Sequence, residues 1–192
     1  MKTLRTVLIT LALVVVLGLA VSYGGLFNMA ADDHHWGMTA GMIETMRDRN
    51  VARQADDMVV PGNLADAKLI ANGASEYAEM CTGCHLAPGM KDTEMRKGLY
   101  PMPPSLAESG ARRPAAEQFW IVKHGLKMTG MPAWGLTHDD ERIWSIVAFL
   151  QKLPSLSPDQ YRELLESGEG HHHHDGTEEH EEGHSHEADE QP

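Results

Sequence analysis

The sequence predicts a mainly α-helical protein with an apolar N-terminal helix and a low-complexity C-terminal tail. The first observation is an apolar run from Val7 to Val21. The second is a pair of segments, 65–80 and 137–153, in which apolar residues recur at helical spacing. The third is the segment from Glu169 to Pro192, which is rich in His and acidic residues and cannot build a hydrophobic core. We therefore expect four regions: 1–27, 28–63, 64–165 and 166–192.

Residues 1–27 are predicted to be a signal-anchor that crosses the membrane once. Lys2 and Arg5 precede the apolar run, as in Sec-type targeting segments. Extending that run through Phe27 reaches the roughly 20 residues that a bilayer core requires. The positive end should then stay in the cytoplasm while the rest of the chain is exported. The alternative is cleavage at Gly18-Leu19-Ala20, which would release a soluble periplasmic protein.

Residues 28–63 are predicted to be a periplasmic spacer with one amphipathic helix. Apolar residues at helical spacing, set among arginines, favour a helix from about Thr39 to Met58. Val60-Pro61-Gly62 is turn chemistry and should end that helix.

The globular domain, predicted over 64–165, begins with a helix from Ala65 to Met80. Leu69, Gly73 and Tyr77 follow one another at four-residue spacing and share one face. Glycine inside a helix costs about 1 kcal/mol relative to Ala. Gly73 therefore indicates close approach of another helix.

Two later helices complete this domain. Pro114–Lys123 reads as a helix with Pro in its first turn and Gly125 as its C-terminal cap. The last helix should start at Thr137–Asp140, a capping-box variant with Asp in place of Glu, and should stop before Pro154. Its apolar stripe consists of Ile143, Trp144, Val147 and Leu150.

Cys81, Cys84 and His85 form the motif on which the functional prediction rests. Two cysteines three apart, followed at once by histidine, are the pattern for covalent attachment of a c-type haem. Each thiol adds across one haem vinyl group, and His85 becomes the proximal ligand of the iron. A thioredoxin-like pair would need a βαβ context, a zinc site would need further ligands, and a structural disulfide gives no reason for His85.

The sixth ligand is predicted to be Met131. It lies in the loop Lys127–Trp134, flanked by Gly130 and Pro132, and such a loop can bring a thioether to the open face of a haem. Met128, in the same loop, is the rival ligand.

At these residues the chain resembles the class I c-type cytochromes, in which CxxCH near the domain start is answered by a late Met-Pro. The resemblance implies a helical haem domain whose first and last helices cross at a glycine and an aromatic residue. Trp144 is then expected to pack near Tyr77 or Gly73; the alternative, a core position elsewhere, would leave the fold unchanged.

The same resemblance extends to the loop around Pro104-Ser105-Leu106. In this family a proline carbonyl accepts a hydrogen bond from the axial histidine, which implies that Pro104 is the acceptor for His85 and that Leu106 lines the haem. The departure is Pro103, where the family pattern usually has Gly. The segments 25–31 and 119–125 are similar to those of membrane-anchored bacterial monohaem cytochromes.

Charge and composition agree with an electron carrier. Residues 1–168 hold 16 basic and 19 acidic residues, a formal charge of −3, so nothing suggests a nucleic-acid partner. The resemblance implies one-electron transfer with redox partner proteins of a respiratory chain, by a His/Met-ligated haem c at the bacterial inner membrane. Because the sequence shows no acid–base constellation, we predict a carrier rather than an enzyme.

The competing prediction is metal handling, with the haem domain auxiliary. Seven histidines lie among acidic residues within 171–186, and His-rich tracts bind Zn, Cu or Ni. A solvated acidic tail is the alternative there. His34 and His35 are either ligands of a metal or a second haem, or solvated linker residues; we favour the latter because no other ligand is nearby in the sequence.

Overall fold

A computed structural model describes residues 2–169, and these residues form helices without any strand. The mainly α prediction is therefore confirmed. Short 3-10 turns lie at Gly110–Arg112, Trp134–Leu136 and Leu153–Ser155. The α-helices are α1 (Lys2–Tyr23), α2 (Gly37–Ala55), α3 (Ala67–Met80), α4 (Thr82–His85), α5 (Glu94–Gly98), α6 (Leu106–Ser109), α7 (Ala115–His124), α8 (Asp140–Lys152) and α9 (Pro158–Glu169).

The N-terminal helix α1 stands apart from the core. It has 22 residues, none of them buried, and its most apolar window has a mean hydropathy of 2.5. It is long and apolar enough to cross a membrane, and a signal sequence would have the same properties.

Helices α3 and α8 cross at the predicted glycine. A Cβ atom on Gly73 would collide with the backbone carbonyl of Ser145, so only glycine permits this approach. Next to the crossing, the rings of Tyr77 and Phe149 pack with centroids 5.2 Å apart, and both are fully buried. This close contact is the centre of the hydrophobic core.

The predicted position of Trp144 is wrong. Its ring stacks on Phe119 of α7, with centroids 4.2 Å apart and planes 21° apart. Trp144 lies one residue before Ser145, and adjacent residues on a helix point about 100° apart. The side chain therefore leaves the α3 crossing and fills the contact between α7 and α8.

The predicted cap of α8 is also corrected. Asp139, not Thr137, is the N-cap, and its carboxylate accepts a hydrogen bond from the backbone N–H of Arg142 at 2.9 Å. The backbone N–H groups of Thr137 and His138 both donate to the Trp134 carbonyl, at 3.0 and 2.9 Å. Because those donors close the preceding turn, the helix begins two residues later than predicted.

The ends of α7 agree with the sequence at the C-terminus and shift slightly at the N-terminus. Gly125 is the C-cap with φ of 65°, and its N–H donates to the Ile121 carbonyl at 2.8 Å. A residue with positive φ is the usual reason for glycine at this position. Pro114 is the N-cap rather than a first-turn residue.

Helix α2, inside the region predicted to be a spacer, packs on α7. Val51 and Ala55 are buried, and the Asp48 carboxylate pairs with the Arg113 guanidinium at 2.7 Å. The helix runs from Gly37 to Ala55, close to the predicted 39–58. The haem-domain boundary at residue 64 remains a prediction, but α2 is attached to that domain rather than free of it.

Candidate haem site

The Cys81–His85 motif folds as a single helical turn at the end of α3. The Cys81 carbonyl accepts hydrogen bonds from the backbone N–H groups of Cys84, at 3.1 Å, and His85, at 2.8 Å. Both cysteines are free and partly buried. The turn thus places two thiols and one imidazole on a short, hydrogen-bonded segment.

The Cys81 thiol does not resemble a redox-exchange thiol. Burial is the main cause that raises the pKa of Cys81 to about 12, and the neighbouring Cys84 and Glu76 add to it. Cysteines that exchange disulfides have lowered pKa values, because the thiolate is the nucleophile. The raised pKa therefore argues against the thioredoxin-like alternative.

The imidazole of His85 is oriented by the predicted carbonyl. Its Nδ1 lies 2.9 Å from the Pro104 carbonyl oxygen, which can only accept, so Nδ1 carries the hydrogen. Burial is the main cause of a lowered pKa of His85, which favours the neutral ring. A neutral ring protonated at Nδ1 leaves Nε2 with a free lone pair, the state required of an axial ligand.

The departure at Pro103 does not displace this acceptor. The Pro103 carbonyl accepts from Nε of Arg96 at 2.9 Å, while the Pro104 carbonyl serves His85. Arg96 is itself buried and also pairs with Asp92. Proline has no backbone N–H, so these two residues offer only acceptors. The Pro103 carbonyl binds Arg96, and the Pro104 carbonyl binds the predicted ligand His85.

Two further side chains hold the motif, and sequence reasoning missed both roles. The buried Tyr77 hydroxyl donates to the Leu86 carbonyl at 2.6 Å, where Leu86 has φ of 62°. The Thr93 hydroxyl donates to the Gly83 carbonyl and accepts from the backbone N–H of Arg96. Neither contact has a periodic signal in the sequence, because each joins a side chain to a distant backbone carbonyl.

The predicted distal residue, Met131, differs clearly from its rival. Met131 is partly buried and packs against the hydrophobic core, whereas Met128 is 82% exposed with φ of 58°. The Thr129 hydroxyl accepts from the Met131 N–H at 3.1 Å and donates to the Leu126 carbonyl at 2.8 Å. This loop geometry favours Met131, and its role as a ligand remains a prediction.

The methionine loop lies against the loop that orients His85. A Cβ atom on Gly130 would come within 2.7 Å of the Leu99 side chain, which begins the loop containing Pro104. The structure thus places the loop that carries Met131 against the loop that carries Pro104, the acceptor for His85. Leu106, predicted to line the haem, is partly buried and packs against the core.

His34 and His35 are exposed, but both contact the same loop. The His34 ring stacks on the Tyr100 ring with centroids 4.8 Å apart, and the His35 ring meets it edge-on at 5.2 Å. The backbone N–H of His35 donates to the Tyr100 hydroxyl at 3.1 Å. Between residues 2 and 169, no group of three or more His, Cys, Asp or Glu side chains could hold a metal ion. The predicted metal-binding tail, 171–186, lies outside the described residues.

These residues fit haem c. Two thiols lie on one helical turn, and an imidazole with a free Nε2 follows them. A partly buried thioether lies in a loop that packs on the loop carrying Pro104, the acceptor for His85. The fold and this site have the chemistry that covalent attachment of a c-type haem requires.

Residues 68–150 match the family model described as "Cytochrome C oxidase, cbb3-type, subunit III". The match covers less than half of the 192-residue chain but includes Cys81, Cys84, His85 and Met131. It supports a c-type cytochrome with covalently bound haem c and haem-based electron transfer. Neither the curated proteins nor the solved structures contain a significant match to the chain.

Proposed function

We propose that this protein is a membrane-tethered, periplasm-facing electron carrier with one haem c. Cys81 and Cys84 form the thioethers, and His85 and Met131 are the axial ligands. The observation that carries the proposal is the 2.9 Å hydrogen bond from His85 Nδ1 to the Pro104 carbonyl, in the turn that also contains both thiols. Histidines that bind a metal almost always donate their other ring N–H to a carbonyl or carboxylate, as His85 does here.

The haem supplies a one-electron couple at its iron. His85 and Met131 would hold the iron from segments that are fixed by hydrogen bonds. Thioether ligation raises the reduction potential relative to two histidines. The protein acts as a carrier rather than an enzyme in this proposal, because the sequence offers no acid–base constellation. Its partners are redox proteins of a respiratory chain.

The tether is α1, with Lys2 and Arg5 on the cytoplasmic side. Its apolar length and exposed surface support this part of the proposal. A single-pass anchor leaves residues 28–192 on the periplasmic side.

Mass spectrometry of the denatured full-length protein tests the cofactor. We expect the mass of the chain plus one haem, since thioethers survive denaturation. A bare chain or a chain with two haems would contradict the proposal. The same spectrum shows whether residues 1–20 are present.

Protease treatment of intact spheroplasts tests the orientation. External protease should digest the haem domain while a cytoplasmic marker protein stays intact. Full protection of the haem domain until lysis would place it on the other side of the membrane.

A further inference from the structure

Helix α2 has an exposed face that its packing on α7 leaves uncovered. Five residues of this face recur at helical spacing and point the same way. The methionines are 84%, 60% and 65% exposed in chain order, and both arginines are exposed as well. We call these residues the α2 stripe: Met38, Met42, Met46, Arg49 and Arg53.

The opposite face of α2 is fixed, so the helix cannot turn to bury the stripe. Val51 is 1% exposed and Ala55 is 4% exposed. Asp48 pairs with Arg113, and Arg113 also bonds Glu117 of α7 at 3.0 Å. One face of α2 is thus buried against the domain, and its exposed methionines are available for contact with something outside the domain.

Both charged residues of the stripe are cationic. Arg49 and Arg53 form no ion pair with any of the residues 2–169. Asp48 lies on the packed side of α2 and forms ion pairs with Arg47 and Arg113. An apolar half followed by a cationic half suits an anionic lipid surface, in which methionines enter the interface and arginines bind phosphate groups.

The chain also keeps α2 close to the bilayer in which α1 is proposed to lie. Helix α1 ends at Tyr23 and α2 begins at Gly37. The thirteen residues between them reach at most about 45 Å when fully extended. Trp36, just before α2, is 82% exposed, and tryptophan is enriched at membrane–water interfaces.

We propose that the α2 stripe lies on the anionic lipid surface beside the anchor and so fixes how the haem domain is oriented to the bilayer. This inference rests on the proposed tether. The rigid contact between α2 and α7 passes that orientation to the haem domain, whereas a free spacer would let the domain rotate.

Methionine oxidation measures whether the stripe is covered. Full-length holoprotein is placed in nanodiscs of phosphatidylcholine with phosphatidylglycerol, treated briefly with chloramine-T, and each methionine is followed by peptide mass spectrometry. Met95, which is 63% exposed on α5, is the internal reference for Met42 and Met46. We expect Met42 and Met46 to oxidise several-fold more slowly than Met95.

Charge reversal identifies the arginine contribution. The double variant Arg49→Glu with Arg53→Glu should bring the three oxidation rates close together. The matched control, Lys152→Glu with Arg162→Glu, makes the same charge change at exposed sites on α8 and α9 and should keep the protection. An unchanged Soret band verifies that each variant retains its haem domain.

Three results would overturn the inference, and they separate it from the tether. Equal oxidation of Met42, Met46 and Met95 in protein that stays in the discs would leave the tether standing and refute the lipid contact. Protection in native membranes but not in lipid discs would assign the stripe to a protein partner. Failure of the protein to remain in the discs at all would refute the tether, and the lipid contact with it.

Discussion

The segments that carry the two predicted axial residues are held by different kinds of contact. Around His85, side chains from two helices bind the backbone: Tyr77 from α3, and Thr93 and Arg96 from the N-cap and first turn of α5. Around Met131, the hydrogen bonds come from the loop itself, through Thr129 and Leu126. The histidine side is therefore tied by hydrogen bonds to two helices, whereas the hydrogen bonds of the methionine side lie within one loop.

This difference has a chemical consequence. A ligand held by several elements moves only when the domain opens, but a ligand held by its own loop can leave while the rest stays folded. We expect the thioether side to be where foreign ligands enter and where the potential is most easily altered. The predictions below run from the largest expected effect to the smallest.

Met131→Ala should remove the thioether ligand while both cysteine linkages persist. Water or an added ligand would then occupy the open side, and the reduction potential should fall because the thioether no longer favours the ferrous state. The measurement is the weak ferric charge-transfer band at the red end of the visible spectrum, which should vanish.

Met128→Ala is the matched control. Met128 lies in the same loop but is 82% exposed, so its truncation should leave that band in place. Retention of the band in Met131→Ala and its loss in Met128→Ala would exchange the two assignments.

Arg96→Met should give the largest loss of stability on the histidine side. The buried guanidinium bonds the Pro103 carbonyl and Asp92, and hydrogen bonds to charged groups contribute about 1.5–3 kcal/mol each. We expect the free energy of unfolding to fall by about 2–3 kcal/mol, as measured by urea denaturation of the holoprotein.

Lys97→Met controls for the change of residue type. Lys97 is the next residue of α5 and is exposed, so its replacement should leave the urea midpoint nearly unchanged. Equal effects of the two variants would show that the Arg96 contacts do not hold the Pro103-Pro104 loop.

Tyr77→Phe should cost less, about 1–2 kcal/mol, because it leaves the Leu86 carbonyl without its buried donor. Tyr161→Phe offers a close comparison. Tyr161 is also buried against Phe149, but its hydroxyl has no hydrogen-bond partner among the described residues.

Removing the Tyr161 hydroxyl should therefore be neutral or stabilising, as judged by thermal unfolding of both variants. If Tyr77→Phe proved as mild as Tyr161→Phe, Tyr77 would stabilise the domain through the packing of its ring and not through its hydroxyl.

Local sequence signals identified α1, α2, α3, α7, α8 and the haem turn, but they did not identify α9, which packs on α3. Gly73 marked the close crossing because a Cβ atom there would collide with the Ser145 carbonyl, and Gly125 marked the end of α7 because its φ is positive. The resemblance to class I cytochromes supplied the Pro104 acceptor, which the structure confirms at 2.9 Å.

Contacts between distant segments could not be obtained in that way. Trp144 was placed on the wrong neighbour because its partner depends on how α7 meets α8, not on its spacing within α8. Sequence alone predicts Thr137 as the cap because the 3-10 turn that uses its backbone N–H leaves no sequence pattern. The packing of α2 on α7 was missed since an amphipathic pattern does not name the surface that it covers.

Thr129→Val should have the smallest effect on stability and a selective effect on ligand exchange. Valine keeps the β-branched shape but removes the hydroxyl that accepts from the Met131 N–H and donates to the Leu126 carbonyl. Each such bond contributes about 0.5–1.5 kcal/mol, and partial exposure lowers the net cost, so the urea midpoint should move little. The loop should nevertheless open more often, and imidazole should displace the thioether faster in stopped-flow absorbance measurements. Thr137→Val, which removes an exposed hydroxyl outside this loop, should leave the exchange rate unchanged. If Arg96→Met accelerated imidazole binding as much as Thr129→Val, the two sides of the haem would open together, and the contrast between a ligand held by several elements and a ligand held by one loop would be wrong.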